Sequence, residues 1–149
     1  SHILRIIREL LEFKPLSSMT NIANALEFLA GVLKKKTIIF MLSDFMDKGY
    51  KKNLRIAAKK HDLTGIRVYD TVETKLPNLG IVPIKDSETG MVQLVSTFSK
   101  KIKNNYENKY REHVLAYEEL FRKNGAGHLS CSVEESYVKK LLGYFKARL

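Results

Sequence analysis

Thr37-Ile38-Ile39-Phe40-Met41-Leu42-Ser43-Asp44-Phe45-Met46-Asp47 is the stretch whose reading decides the fold. Its first six residues are an unbroken apolar run, rich in β-branched and large side chains and preceded by Lys34 to Lys36. Such a run predicts a strand covered on both faces, in the interior of a parallel sheet. Ser43 to Asp47 then reads as a polar loop. A helix follows from about Tyr50 to Lys60 with Leu54, Ala57 and Ala58 facing inward, and a second apolar strand runs from Leu63 to Tyr69 and ends at Asp70. Strand, helix and strand joined by short connections form a βαβ unit, which predicts parallel pairing with a right-handed crossover.

Upstream, Ile3, Ile6, Ile7, Leu10 and Leu11 recur at helical spacing among charged residues, predicting an amphipathic helix over Ile3 to Phe13. Pro15, Ser17 and Ser18 break it. Thr20 opens a second helix whose buried stripe is expected to be Ile22, Ala25, Leu26, Leu29 and Leu33. Downstream of Gly80, Ile81 to Lys85 and Met91 to Val95 flank Asp86-Ser87-Glu88-Thr89-Gly90 and read as a β-hairpin. A long helix from Thr97 to Asn124 follows, with Phe98, Ile102, Tyr106, Tyr110, Val114, Tyr117 and Phe121 on one face. His128 to Ser132 is a short third strand of the main sheet. Ser132 with Glu135 reads as a capping box for a last helix burying Val138, Leu141, Leu142 and Phe145.

The 149 residues fit one domain, and 44% hydrophobic with 28% charged residues is the composition of a globular chain. The single cysteine, Cys131, has no partner for an internal disulfide and the histidines form no zinc-spaced cluster, so a reducing, cytoplasmic setting is expected. No apolar run approaches the roughly 20 residues that span a bilayer. A net charge of +10 invites a nucleic-acid or anionic-membrane reading. Against it, the lysines cluster at helix ends, where they complement the helix dipole, and the aromatic residues fall on stripes that a core would claim.

No phosphate-binding glycine loop, nucleophile elbow or H-E-x-x-H pattern occurs, so catalysis is not expected. Cys131 reads as a small buried residue; His61, His113 and His128 read as surface, helix-end or strand-end residues. Oxygen-bearing side chains instead gather where strands hand over to helices: Ser43, Asp44 and Asp47 after the first strand, Asp70 after the second, and Thr20 with Asn21 at a helix start. Hydroxyls with one or two carboxylates suit a hard divalent cation. The plainer alternative is that these residues cap helices and loops. A metal-assisted hydrolase built on Asp44, Asp47 and Asp70 ranks last, because no nucleophile or phosphate cradle accompanies the carboxylates.

Several stretches together carry a family resemblance: Leu42-Ser43-Asp44-Phe45 with Asp47; Leu54 through Asp62; Val68-Tyr69-Asp70 leading to Glu73, Leu76-Pro77 and Gly80; Asp86 to Gly90; and the ending with Tyr137, Leu141, Phe145 and Arg148. The chain resembles the family called domain of unknown function 58, which is itself similar to von Willebrand factor A domains. That resemblance implies a three-layer, Rossmann-like α/β fold with an inserted β-hairpin. Residues 1–149 would then be one domain, the C-terminal part of a von Willebrand factor A-like domain without its first strands.

Such domains bind a divalent cation at a metal-ion-dependent adhesion site of three loops. Thr20, before Ala25-Leu26, matches the second loop and Asp44 the third; the Asp-x-Ser-x-Ser first loop does not occur here. The implied ligands are therefore Thr20 and Asp44, with Ser43 and Asp47 as lesser candidates. Met19 stands where such loops usually offer glycine. The resemblance further implies Mg²⁺ or Mn²⁺ in a full-length parent with no cation held by this piece alone, a non-enzymatic protein-interaction role, and partnership with a MoxR-type AAA+ ATPase. It leaves open a membrane association of the parent. With the neighbouring strand missing, the edge at Thr37 to Leu42 is expected to promote self-association.

Overall fold

A computed structural model describes residues 2–14, 20–85 and 90–148. The elements run α1 (His2–Glu12), α2 (Ile22–Val32), β1 (Ile38–Ser43), α3 (Lys51–Lys60), β2 (Asp62–Tyr69), a short 3-10 helix (Thr71–Thr74), β3 (Ile81–Lys85), β4 (Val92–Ser96), α4 (Lys100–Lys123), β5 (Gly127–Ser132) and α5 (Tyr137–Lys146). β1, β2 and β5 form a parallel sheet in the order β1-β2-β5, with Ile39 opposite Leu63 and Arg67 opposite Ser130. β3 and β4 pair antiparallel as a separate hairpin. The hairpin's turn at Asp86 to Thr89 lies outside the described residues, as does Met19.

Strand alternation assigns the helices to two faces. Ile39 and Leu63 cluster with Ile22 and Leu26 of α2, Leu54 and Ala57 of α3, and Tyr117 and Phe121 of α4. The next residue along β2, Thr64, faces the other way: its hydroxyl is 3.1 Å from the Tyr144 hydroxyl of α5 and accepts from Arg148. Phe40, opposite Thr64, meets Phe145 edge-on at 5.8 Å. Helices thus cover both faces, but unequally. The first face is a closed core, whereas among the described residues the second is covered by α5.

Gly65 explains how α4 lies so close to the sheet. A Cβ at this position would fall within van der Waals contact of the Phe121 ring, 2.7 Å from Cζ, so the aromatic ring occupies space that any side chain would fill. Tyr117, one turn earlier, donates its hydroxyl proton to the Gly65 carbonyl at 2.8 Å, and burial pushes its pKa well above the ordinary phenol value.

Several expectations need correction. β1 is an edge strand of this sheet rather than an interior one: among the described residues it pairs only with β2, and Ile38 and Leu42 are 63% and 68% exposed. The amphipathic helix α1 is found as expected, and its apolar stripe is exposed: Leu11 is 81% exposed and no residue of that helix is buried. Amphipathicity signals a face that can be covered without supplying the cover. In α2, Ala25 is exposed and Ala23 packs instead. The N-cap is Asn21, whose side chain accepts from the Asn24 N–H, so Thr20 is not the cap.

Along α4 only Tyr117 and Phe121 are fully buried, and Phe98 lies exposed before the helix. The capping box also fails: Ser132 closes a turn by accepting from the Glu134 N–H, and α5 begins later with Ser136 at its N-cap. Val138, Leu142 and Phe145 of α5 are exposed. Cys131 is buried, and that burial raises its thiol pKa, which fits an inert core residue.

Gly65→Ala is expected to destabilise the chain by about 1–3 kcal/mol through overpacking against Phe121. Urea unfolding followed by circular dichroism checks this, and an unchanged midpoint would show that α4 does not pack where described.

Candidate functional site

The C-terminal rim of the parallel strands is organised by the loop after β1. Phe45 there is fully buried and adopts φ +58°, a left-handed conformation uncommon for a bulky residue. Its ring stacks on Tyr117 at 4.6 Å and meets Phe121 at 5.2 Å. Plugging Phe45 into the core turns its neighbours outward. The Ser43 hydroxyl accepts from the Phe45 N–H at 3.1 Å, and the Asp44 Oδ1 accepts from the Met46 N–H at 3.1 Å, closing a tight polar turn.

Asp47 performs a different task. Its Oδ2 accepts from the Ile22 N–H at 2.7 Å and its Oδ1 from the Lys48 N–H at 2.6 Å. The first bond satisfies an otherwise orphan donor in the first turn of α2, 25 residues away in sequence. Asn53 adds a second tie, donating from Nδ2 to the Ala23 carbonyl at 2.9 Å. Thr20 stands two residues before Ile22 in sequence and is exposed. Asp47 also helps raise the neighbouring Tyr50 phenol to about 12, behind burial as the larger cause.

The sequence candidates thus divide. Asp47 is committed to bracing α2, and Asp70 caps the short 3-10 helix by accepting from the Val72 N–H at 2.9 Å. Asp44 is exposed and its Oδ2 has no hydrogen-bond partner among the described residues; the Thr20 hydroxyl is likewise exposed and unengaged. These are hard oxygens of the type that Mg²⁺ and Mn²⁺ prefer. Among the described residues, however, no three His, Cys, Asp or Glu side chains converge to hold a metal ion.

His61 is at the C-terminal end of α3, as expected, but it is buried rather than at the surface, with neither ring nitrogen hydrogen-bonded among the described residues. One buried side chain escaped the sequence reading. Arg67 is buried in β2 beside Tyr69, Tyr110 and Ser130. The available signal was its position as the lone charge inside the run Leu63 to Tyr69.

The chain belongs to the family described as protein of unknown function DUF58, whose model matches residues 1–116. It is 22% identical to an uncharacterized protein of Mycobacterium avium over 90% of this chain and 79% of that protein. It is also 22% identical to uncharacterized proteins of Mycobacterium bovis and Mycobacterium tuberculosis over 86% of this chain. The chain spans only 40% of the length of those two relatives. No solved structure matches it significantly. Among the described residues, no helix is long and apolar enough to cross a membrane.

Asp47→Ala is expected to cost about 1–2 kcal/mol, because it removes the acceptor for two backbone N–H groups, one of them in the first turn of α2. Asp44→Ala, at an exposed turn, is expected to cost no more than about 1 kcal/mol. Thermal unfolding of the two variants side by side checks the division; equal losses would contradict it.

Proposed function

We propose that the chain is the metal-binding and partner-facing part of a non-enzymatic protein-interaction domain of the von Willebrand factor A type. Thr20 and Asp44 would supply two oxygen ligands to a Mg²⁺ or Mn²⁺ ion, with Ser43 in support. The observation that supports this reading is the Asp47–Ile22 bond, which ties the start of α2, two residues after Thr20, to the loop after β1 that carries Asp44. A cation held there with an open coordination position would accept a carboxylate from a partner. A MoxR-type AAA+ ATPase is the partner we propose, on the strength of the family resemblance.

Two side-chain oxygens and water make a weak site for a hard cation, so the remaining ligands are proposed to come from outside residues 1–149. Isothermal titration of Mn²⁺ into a full-length family protein containing this chain, beside its Thr20→Ala and Asp44→Ala variants, tests the assignment. Binding to the parent that weakens about tenfold or more in each variant is expected. Equal binding by all three proteins would remove the assignment.

The free edge of β1 extends the same reading. Its backbone groups, flanked by exposed Ile38 and Leu42, form a template on which another strand can pair. For residues 1–149 alone we propose that a second copy of the chain fills this role. Sedimentation velocity is expected to show concentration-dependent dimerisation that Phe40→Lys and Leu42→Lys together abolish. A strict monomer at all concentrations would contradict it.

A further inference from the structure

Arg67 is 5% exposed, yet no carboxylate lies within ion-pair distance of it among the described residues. Fully buried arginines are rarely left unpaired, because an uncompensated charge away from water is costly. Here the guanidinium is surrounded by neutral groups. Nε donates to the Ser130 hydroxyl at 3.1 Å, one Nη donates to the Tyr110 hydroxyl at 2.8 Å, and the Tyr69 ring stacks against the carbon at 4.1 Å. The other Nη has no protein hydrogen-bond partner among the described residues.

The same arginine lines a cavity of about 300 Å³ between the end of β2, the short 3-10 helix and α4. Around it stand Lys75, Arg111, Thr74 and Tyr110, with Glu107 as the one acidic side chain. Lys75 and Arg111 are exposed and make no ion pair among the described residues. Three cations therefore face one carboxylate, and a buried guanidinium with one Nη free of protein partners stands beside a hydroxyl and two phenols. Such a set suits a doubly charged oxyanion, which accepts from a guanidinium fork and neutralises a local positive excess.

We propose that this cavity binds a phosphate group, with Arg67 as the buried anchor and Lys75 and Arg111 as the entrance cations. The proposal does not rest on the cation proposed at Thr20 and Asp44. It shares the C-terminal end of the strands with that position but lies on the α4 side of β2, where Arg67 is opposite Ser43 in register. The phosphate is either free in solution or carried as a small monoester.

Inorganic phosphate and glycerol phosphate, titrated separately into the chain at constant ionic strength with chloride as the balancing anion, test the proposal. Saturable one-to-one binding of at least one of them is expected, with a matching rise in thermal midpoint. Tighter binding of inorganic phosphate identifies a free anion as the ligand, and tighter binding of the ester identifies a monoester. Arg67→Lys keeps the charge but loses the fork and is expected to weaken binding about tenfold or more.

Because Arg67 is buried, the exposed pair Lys75→Ala with Arg111→Ala provides a second variant that keeps the core intact, and it is expected to weaken binding by a similar factor. Lys34→Ala with Lys36→Ala, far along the chain at the end of α2, should leave binding unchanged. Absence of saturable binding to the unaltered chain overturns the proposal. So does an equal loss in the Lys34 and Lys36 variant, which would mark a general effect of the basic surface.

Discussion

Everything at the C-terminal rim depends on the insertion of one ring, that of Phe45, beneath α4. Holding a bulky residue at φ +58° costs on the order of 1–2 kcal/mol. Full burial of a phenylalanine returns about 1.5–3 kcal/mol, and its contacts with Tyr117 and Phe121 add about 0.5–1.5 kcal/mol each. Burial wins, so the strained conformation persists. With the ring fixed inward, Asp44 turns to solvent and Asp47 reaches the start of α2. One apolar anchor thereby sets the positions of the exposed polar groups on either side of it.

The two faces of the sheet divide labour in a related way. On the α2, α3 and α4 side, a closed core fixes helix positions against β1 and β2, with Gly65 making room for Phe121. On the other side α5 is tied down chiefly by polar contacts: Arg148 donates to Asp62 at 2.7 Å and to both Thr64 and Tyr144. Exposed Ile38 and Leu42 beside that helix, with the open edge of β1, leave an apolar surface.

Much of the fold was legible in the residues. The runs at 37–42 and 63–69 were readable as strands because each is largely apolar, and the short helical connection between them predicted the parallel pairing that is found. The hairpin was readable from its glycine-ended turn. Burial was less legible, because periodicity describes a helix's own faces and not what lies opposite; α1 and α5 both show a stripe whose cover is missing or partial. The Ser132–Glu135 spacing misled for a local reason: the chain makes one further turn before α5 begins. At the site, the oxygen-rich loop was apparent from residue types, but the separate roles of Asp44 and Asp47 were not. They follow from the left-handed Phe45, which no local pattern of residues announces. Arg67 was hidden for the opposite reason, since a charge within an apolar strand was read as part of that strand.

We propose that the start of α2 and the loop after β1 together bind a divalent cation. A crystal structure of a full-length family protein containing this chain, soaked in Mn²⁺ and measured at the manganese edge, addresses it most directly. The account predicts an anomalous peak about 2.0–2.3 Å from oxygens of both Thr20 and Asp44. A peak elsewhere, or a refined structure in which those two side chains stand too far apart to share an ion, would contradict it.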